Sequence, residues 1–162
     1  MSADTFVSAL FIITAVVAAG ILINAVYPIV WTSASTFSSS AHETDTRMRT
    51  DFKIVNIYAK GTSAQFFIKN IGTTSLGDSE IQSADVYVIT PEGLVNPPYN
   101  TGAVTPNWVY VVKNPGNSFW DNGETLEIGI NMSGSFNAAN TYTFQFVLPN
   151  GVQRSAEFSP ST

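Results

Sequence analysis

The sequence predicts an α+β arrangement: one long N-terminal hydrophobic helix followed by an all-β immunoglobulin-like sandwich of about seven strands. Three observations predict it. Between Asp4 and Glu43 there is no Asp, Glu, Lys or Arg. After Asp51 the apolar residues change to a spacing of two. Clusters of Gly, Pro, Asn and Asp then separate the alternating runs. The chain accordingly divides into a helix over 1–31, a Ser/Thr-rich neck over 32–50 and a β domain over 51–162.

Residues 5–31, TFVSALFIITAVVAAGILINAVYPIVW, carry no charge. As a helix this run is roughly 40 Å long at 1.5 Å per residue, and a bilayer core needs about 20 apolar residues. A domain of this size has no room to bury such a helix on all sides, so the segment sits in lipid or among identical helices. A cleaved secretory signal fits poorly, because Met1-Ser2-Ala3-Asp4 lacks a basic leader and the apolar run is too long. Ala15 and Ala19, beside Gly20, offer small residues for close helix approach, though such residues are also common in membrane helices generally. Asn24 is the one strongly polar side chain of the run, suited to a bond across to a neighbouring helix. Pro28 removes the backbone bond to the Asn24 carbonyl and predicts a kink, next to Tyr27 and Trp31, which suit a membrane interface.

The neck reads in two ways. Its Ser/Thr content suggests a flexible tether. Against that, Val30, Ala34, Phe37, Ala41, Thr44 and Met48 recur at heptad spacing. The same register runs back through Tyr27, Ile23, Gly20, Val16, Ile13, Ala9 and Phe6, which predicts one helix from about residue 5 to about residue 49 that is stabler against copies of itself than alone. His42, the only histidine, lies in the neck and reads as a surface residue.

In the β domain the clearest alternation covers 126–132 and 142–148. Weaker runs are 52–59, 65–71, 84–90, 108–113 and 152–158. Pro149-Asn150-Gly151 predicts the hairpin joining the last two strands, and Lys60-Gly61-Thr62-Ser63 joins the first two. Asp121-Asn122-Gly123 precedes the fifth strand. The loop over 91–107 holds four prolines, and with Tyr99 and Trp108 it is a candidate contact surface or a rigid excursion.

The chemistry that the sequence omits narrows the function classes. There is no cysteine, so disulfides, thiolate metal sites and Cys nucleophiles are excluded. No G-x-S-x-G, phosphate loop or H-E-x-x-H occurs, and nothing calls for a cofactor or a metal, so an enzyme is the least expected class. Asp121-Asn122-Gly123-Glu124 carries oxygen ligands for Ca²⁺ but reads better as a turn. All seven basic residues lie from Arg47 onward and form no cluster, which argues against nucleic acid as a partner. Asn131-Met132-Ser133 is the only N-x-S/T sequence and permits glycosylation of Asn131 on an exported domain.

An uncharged N-terminal helix leading into a Ser/Thr neck and a β-sandwich resembles the archaellin-type family of archaeal motility filaments, and within it the archaellum accessory proteins of the FlaG and FlaF type. The residues that carry the resemblance are 6–24, then 51–58 (DFKIVNIY) and 66–74 (FFIKNIGTT), where Lys69-Asn70-x-Gly72 looks like the family's first hairpin. It spans about the first half of the chain. Family filament subunits have a basic leader ending in Gly, whereas this chain begins MSAD, which turns the expectation from the major subunit toward the accessory proteins. The resemblance implies a non-enzymatic structural subunit of the cell envelope, either membrane-anchored with an extracytoplasmic β domain or built into an extracellular filament. Its implied partners are the membrane, sister subunits, other archaellum subunits and a surface-layer protein. A major filament subunit and a membrane-tethered binding module are the alternative expectations.

Overall fold

The computed structural model describes residues 2–113 and 115–161. Two compact units are present, Met1–Thr44 and Asp45–Thr162. Helix α1 (Ser2–Arg49) makes up the first unit and contributes its last turn, from Asp45, to the second. Its Ser and Thr side chains do not break it. Thr32 Oγ1 donates to Pro28 O at 2.8 Å, Thr36 Oγ1 to Thr32 O at 2.8 Å and Thr44 Oγ1 to Ser40 O at 2.8 Å. Each hydroxyl is thereby satisfied on the helix's own backbone, without a water partner.

The second unit is a sandwich of antiparallel sheets. Strands β1 (Phe52–Lys60), β2 (Ser63–Asn70), β8 (Thr125–Asn131) and β6 (Asn107–Lys113) form one sheet in the order β1-β2-β8-β6. Strands β10 (Gln153–Phe158), β9 (Tyr142–Val147), β4 (Asp85–Thr90) and β5 (Gly93–Val95) form the other in the order β10-β9-β4-β5. A two-stranded ribbon pairs β3 (Leu76–Gly77) with β7 (Phe119–Trp120), and a one-turn helix α2 (Asp78–Gln82) follows β3. The seven alternating runs of the sequence are β1, β2, β4, β6, β8, β9 and β10.

Period-two patterning builds the core. Phe66, Ile68, Leu126, Ile128, Ile130 and Trp108 point inward from one sheet, and Val86, Val88, Phe144, Phe146 and Phe158 from the other. Phe66 stacks on Phe144 with centroids 3.8 Å apart, while Phe146 meets Phe52 edge-on at 5.5 Å and Trp108 at 6.3 Å. Burying each such ring contributes about 1.5–3 kcal/mol. Among the described residues every buried side-chain polar atom has a hydrogen-bond partner.

The hairpins fall where the turn residues lie. Gly61 (φ +61°) closes β1–β2, with Lys60 opposite Ser63. Gly151 (φ +81°) closes β9–β10, where Leu148 N donates to Val152 O at 2.9 Å. Asn70-Ile71-Gly72 differs from the expected hairpin. It ends β2 and runs across to residues 49–51, with Gly72 N donating to Asp51 O at 2.8 Å and Thr73 N to Arg49 O at 2.8 Å. Local turn chemistry is the same in both cases, an Asx turn with Gly72 N on Asn70 Oδ1 at 3.0 Å, so only the long-range partner distinguishes them.

Candidate assembly interface

The seam residues Phe6, Ala9, Ile13, Val16, Gly20, Ile23, Asn24, Tyr27 and Phe37 all lie on α1, and all are exposed. Phe6 is 69% exposed and Phe37 76%, values of a side chain with nothing over it. A Cβ added at Gly20 would meet no atom within 4 Å, so this chain supplies no partner for the close approach that a small residue allows. Pro28 stands inside the helix, and its carbonyl accepts the Thr32 hydroxyl. The helix is long and apolar enough to cross a membrane, with no part of that stretch buried. A spanning helix suits lipid because its backbone hydrogen bonds are internal. His42 is exposed on the same helix.

The last turn of α1 is built into the β unit. Arg47 Nε donates to Asn150 O at 2.5 Å, and Asn150 Nδ2 donates to Thr50 Oγ1 at 3.0 Å. Thr73 N and Thr74 N both donate to Arg49 O, at 2.8 and 3.3 Å, supplying a helix-end carbonyl that otherwise has no donor. Arg47 and Arg49 stand where the helix dipole favours positive charge. Gly72 makes the approach possible: a Cβ there would overlap Asp51 N and Arg49 O. Beneath it the buried Asn70 donates from Nδ2 to Thr74 O and Trp120 O, both at 2.9 Å, and Asn122 Nδ2 donates to Gly72 O. At the seam between the sheets Arg154 and Asp51 form an ion pair at 2.6 Å. Asn70, Gly72 and Asn150 were legible only as turn formers, because their partners are remote in sequence.

The proline-rich loop folds back on β6. Trp108 N donates to Pro98 O at 3.0 Å, and the buried Asn107 donates to Asn100 O at 2.6 Å. Trp108 is 1% exposed and belongs to the core, which corrects its expected place on a contact surface. The run Trp108-Val109-Tyr110-Val111-Val112 is apolar throughout, so the sequence does not reveal which side faces in. Tyr99 is half-buried and covers Trp108 and Tyr110, with centroids 5.1 and 5.7 Å away. Tyr110 donates to Asp78 Oδ1 at 2.8 Å, and burial, with the Asp78 charge adding to it, pushes its pKa up to about 12.

Asn131 lies half-buried at the end of β8, with Oδ1 accepting from Ser63 Oγ at 3.0 Å. A cavity of about 230 Å³, lined by Thr90, Glu92, Pro106, Met132, Phe136 and Tyr142, lies next to the end of β8. The Asp121–Glu124 segment is a turn whose carboxylates accept local hydrogen bonds: Asn117 Nδ2 donates to Asp121 Oδ2 at 2.9 Å and Asp121 N to Glu124 Oε2 at 2.9 Å. Hydrogen bonds from Ser75 and Asn117 hold the Asp121 carboxyl below its ordinary pKa. Among the described residues no three His, Cys, Asp or Glu side chains gather as a metal site.

The archaeal-type flagellin family profile matches residues 6–158. An uncharacterised protein of Archaeoglobus fulgidus is 24% identical over 98% of this chain and 99% of its own length. Among solved structures, the archaellum periplasmic stator protein FlaG from Sulfolobus acidocaldarius superposes with a TM-score of 0.57 at 24% identity, covering 67% of this chain and 99% of that one. The FlaF–FlaG stator complex of the same organism gives 0.56 at 25% identity over 66% of this chain and 87% of that one. The archaeal flagellum of Methanospirillum hungatei gives 0.64 at 11% identity over 96% of this chain and 93% of that one.

Proposed function

The chain belongs to the archaeal-type flagellin family and is an archaellum-related structural protein; from that premise we propose that it is an accessory subunit that assembles through α1, with its β domain outside the membrane. The observation that carries this reading is the uncovered seam from Phe6 to Phe37, exposed along its whole length. Lipid covers such a face, and copies of the same helix cover it better where Ala9 and Gly20 let backbones close. The β domain then meets other archaellum subunits or the surface layer. The similarity to a stator protein and to its complex with a second subunit supports that role.

A single substitution tests it. Ile13→Lys places a charge in mid-membrane, at a cost of about 3 kcal/mol. Expression in a membrane-bearing host followed by fractionation is expected to move the variant out of the membrane fraction. A variant that stays in the membrane and assembles like the parent protein contradicts the reading. A second reading, a major filament subunit, is favoured by the fold likeness to the M. hungatei filament, which extends through the helix over 96% of this chain. Electron microscopy and protein composition of native filaments separate the two, since a major subunit makes up nearly all of a filament's mass and an accessory subunit only a trace.

A further inference from the structure

The four lysines of the chain are Lys53, Lys60, Lys69 and Lys113. They are far apart in sequence, yet all are carried by one sheet, on β1, β2 and β6, at positions that alternate with inward residues. Register aligns three of them in one row: Lys53 stands opposite Lys69, Lys69 opposite Thr125, and Thr125 opposite Lys113. Like charges directly opposite one another destabilise a sheet. Lys113 is relieved by an ion pair with Glu127, the one acidic residue on these four strands. Among the described residues no carboxylate pairs with Lys53 or Lys69. The same face carries Tyr58, Phe67, Val109 and Val111, of which Tyr58 is 49% and Val111 54% exposed, and Gly129 leaves its centre without a side chain.

The outward face of the other sheet has the opposite sign. Asp85 on β4 and Glu157 on β10 are exposed and point outward. The only basic residue on those four strands, Arg154, is turned to the seam and pairs with Asp51. The same face carries Tyr87, Ile89, Leu94 and Val147 beside the polar Thr143, Gln145 and Ser155, with Ile89 43% and Leu94 63% exposed. One domain thus bears two faces of opposite charge, each with a few exposed apolar side chains, on opposite sides of a sandwich.

We propose that the lysine-bearing outward face of β1-β2-β8-β6 docks on the acidic outward face of β10-β9-β4-β5 of a second copy of this chain. Each copy offers one face of each kind, so the contact is heterologous and builds a ring or an open array rather than a closed two-fold dimer. This goes beyond assembly through α1 and shares with that reading only the premise that copies meet.

Charge exchange on the full chain in detergent tests it. Lys53→Glu with Lys69→Glu makes both faces acidic, and Asp85→Lys with Glu157→Lys makes both basic. Each variant alone is expected to need at least a tenfold higher concentration to assemble than the parent protein, by sedimentation or light scattering. Mixing the two in equal amounts restores assembly, because every contact in an alternating array is again complementary. Recovery on mixing also shows that both variants are folded. Raising the salt from about 0.1 M to about 1 M shortens the screening length from about 10 Å to about 3 Å and is expected to dissolve the parent array. If both variants assemble like the parent, or if the mixture assembles no better than its parts while each melts like the parent, the face-to-face contact is overturned. The helix is unaltered throughout, so persistence of oligomers in every sample leaves the α1 reading standing while this one falls.

Discussion

Phe11 and Phe66 are the same residue in two opposite environments: Phe11 on α1 is 70% exposed, and Phe66 in β2 is fully buried. The difference extends to the whole of both regions. The sandwich finds cover for its apolar surface inside the chain, in stacked and edge-on rings from two sheets. The helix finds none in this chain: its apolar stretch stays exposed. The sandwich is therefore held together by its own core, whereas the apolar surface of α1 lies open along its length. Equal changes to the two regions are expected to have unequal consequences.

The largest expected effect is at the core. Phe66→Ala removes a ring held against Phe144 and Phe158, and is expected to cost about 3–5 kcal/mol in denaturant unfolding of the full chain in detergent. Next is the junction. Asn70→Ala leaves Thr74 O and Trp120 O without their donor, at a cost of about 1–3 kcal/mol by the same measurement. A third expectation concerns pH. The pKa of Tyr110 is raised to about 12, so the folded state holds its proton more tightly than the unfolded chain does. Its contribution is full below the unfolded value of about 10 and is lost as pH rises through about 12. Tyr110→Phe should flatten the fall in melting temperature across that window, and an unchanged slope would show that Tyr110 does not cause it. The smallest effect is Phe11→Ala, expected to shift unfolding of the sandwich by no more than about 0.5 kcal/mol. A shift comparable to that of Phe66→Ala would erase the distinction between the two regions.

Much of this organisation was legible in the sequence, and the reasons are physical. β8 and β9 announced themselves because alternation over six or more residues is a strong signal, as in Tyr142, Phe144, Phe146 and Leu148, whereas the other five main strands showed as weaker apolar runs set off by turn residues. β3, β5, β7 and α2 did not, since two to five residues carry no period. The turns at Gly61 and Gly151 were readable because a left-handed backbone at a hairpin favours glycine. Gly72 was misread by the same logic: its requirement is set by Arg49 O and Asp51 N, which fold across to it. Trp108 was placed outside because an unbroken apolar strand has no visible inner side. The lysines looked scattered because strand register, not sequence spacing, brings Lys53, Lys69 and Lys113 into one row.

The most direct test of the central claim is the state of the full chain after detergent is removed without adding lipid, measured by sedimentation velocity. With the seam from Phe6 to Phe37 uncovered in the isolated chain, only multimers or aggregates are expected in solution, and added vesicles should take up the remainder. A stable, dissolved monomer with its sandwich intact would contradict the account.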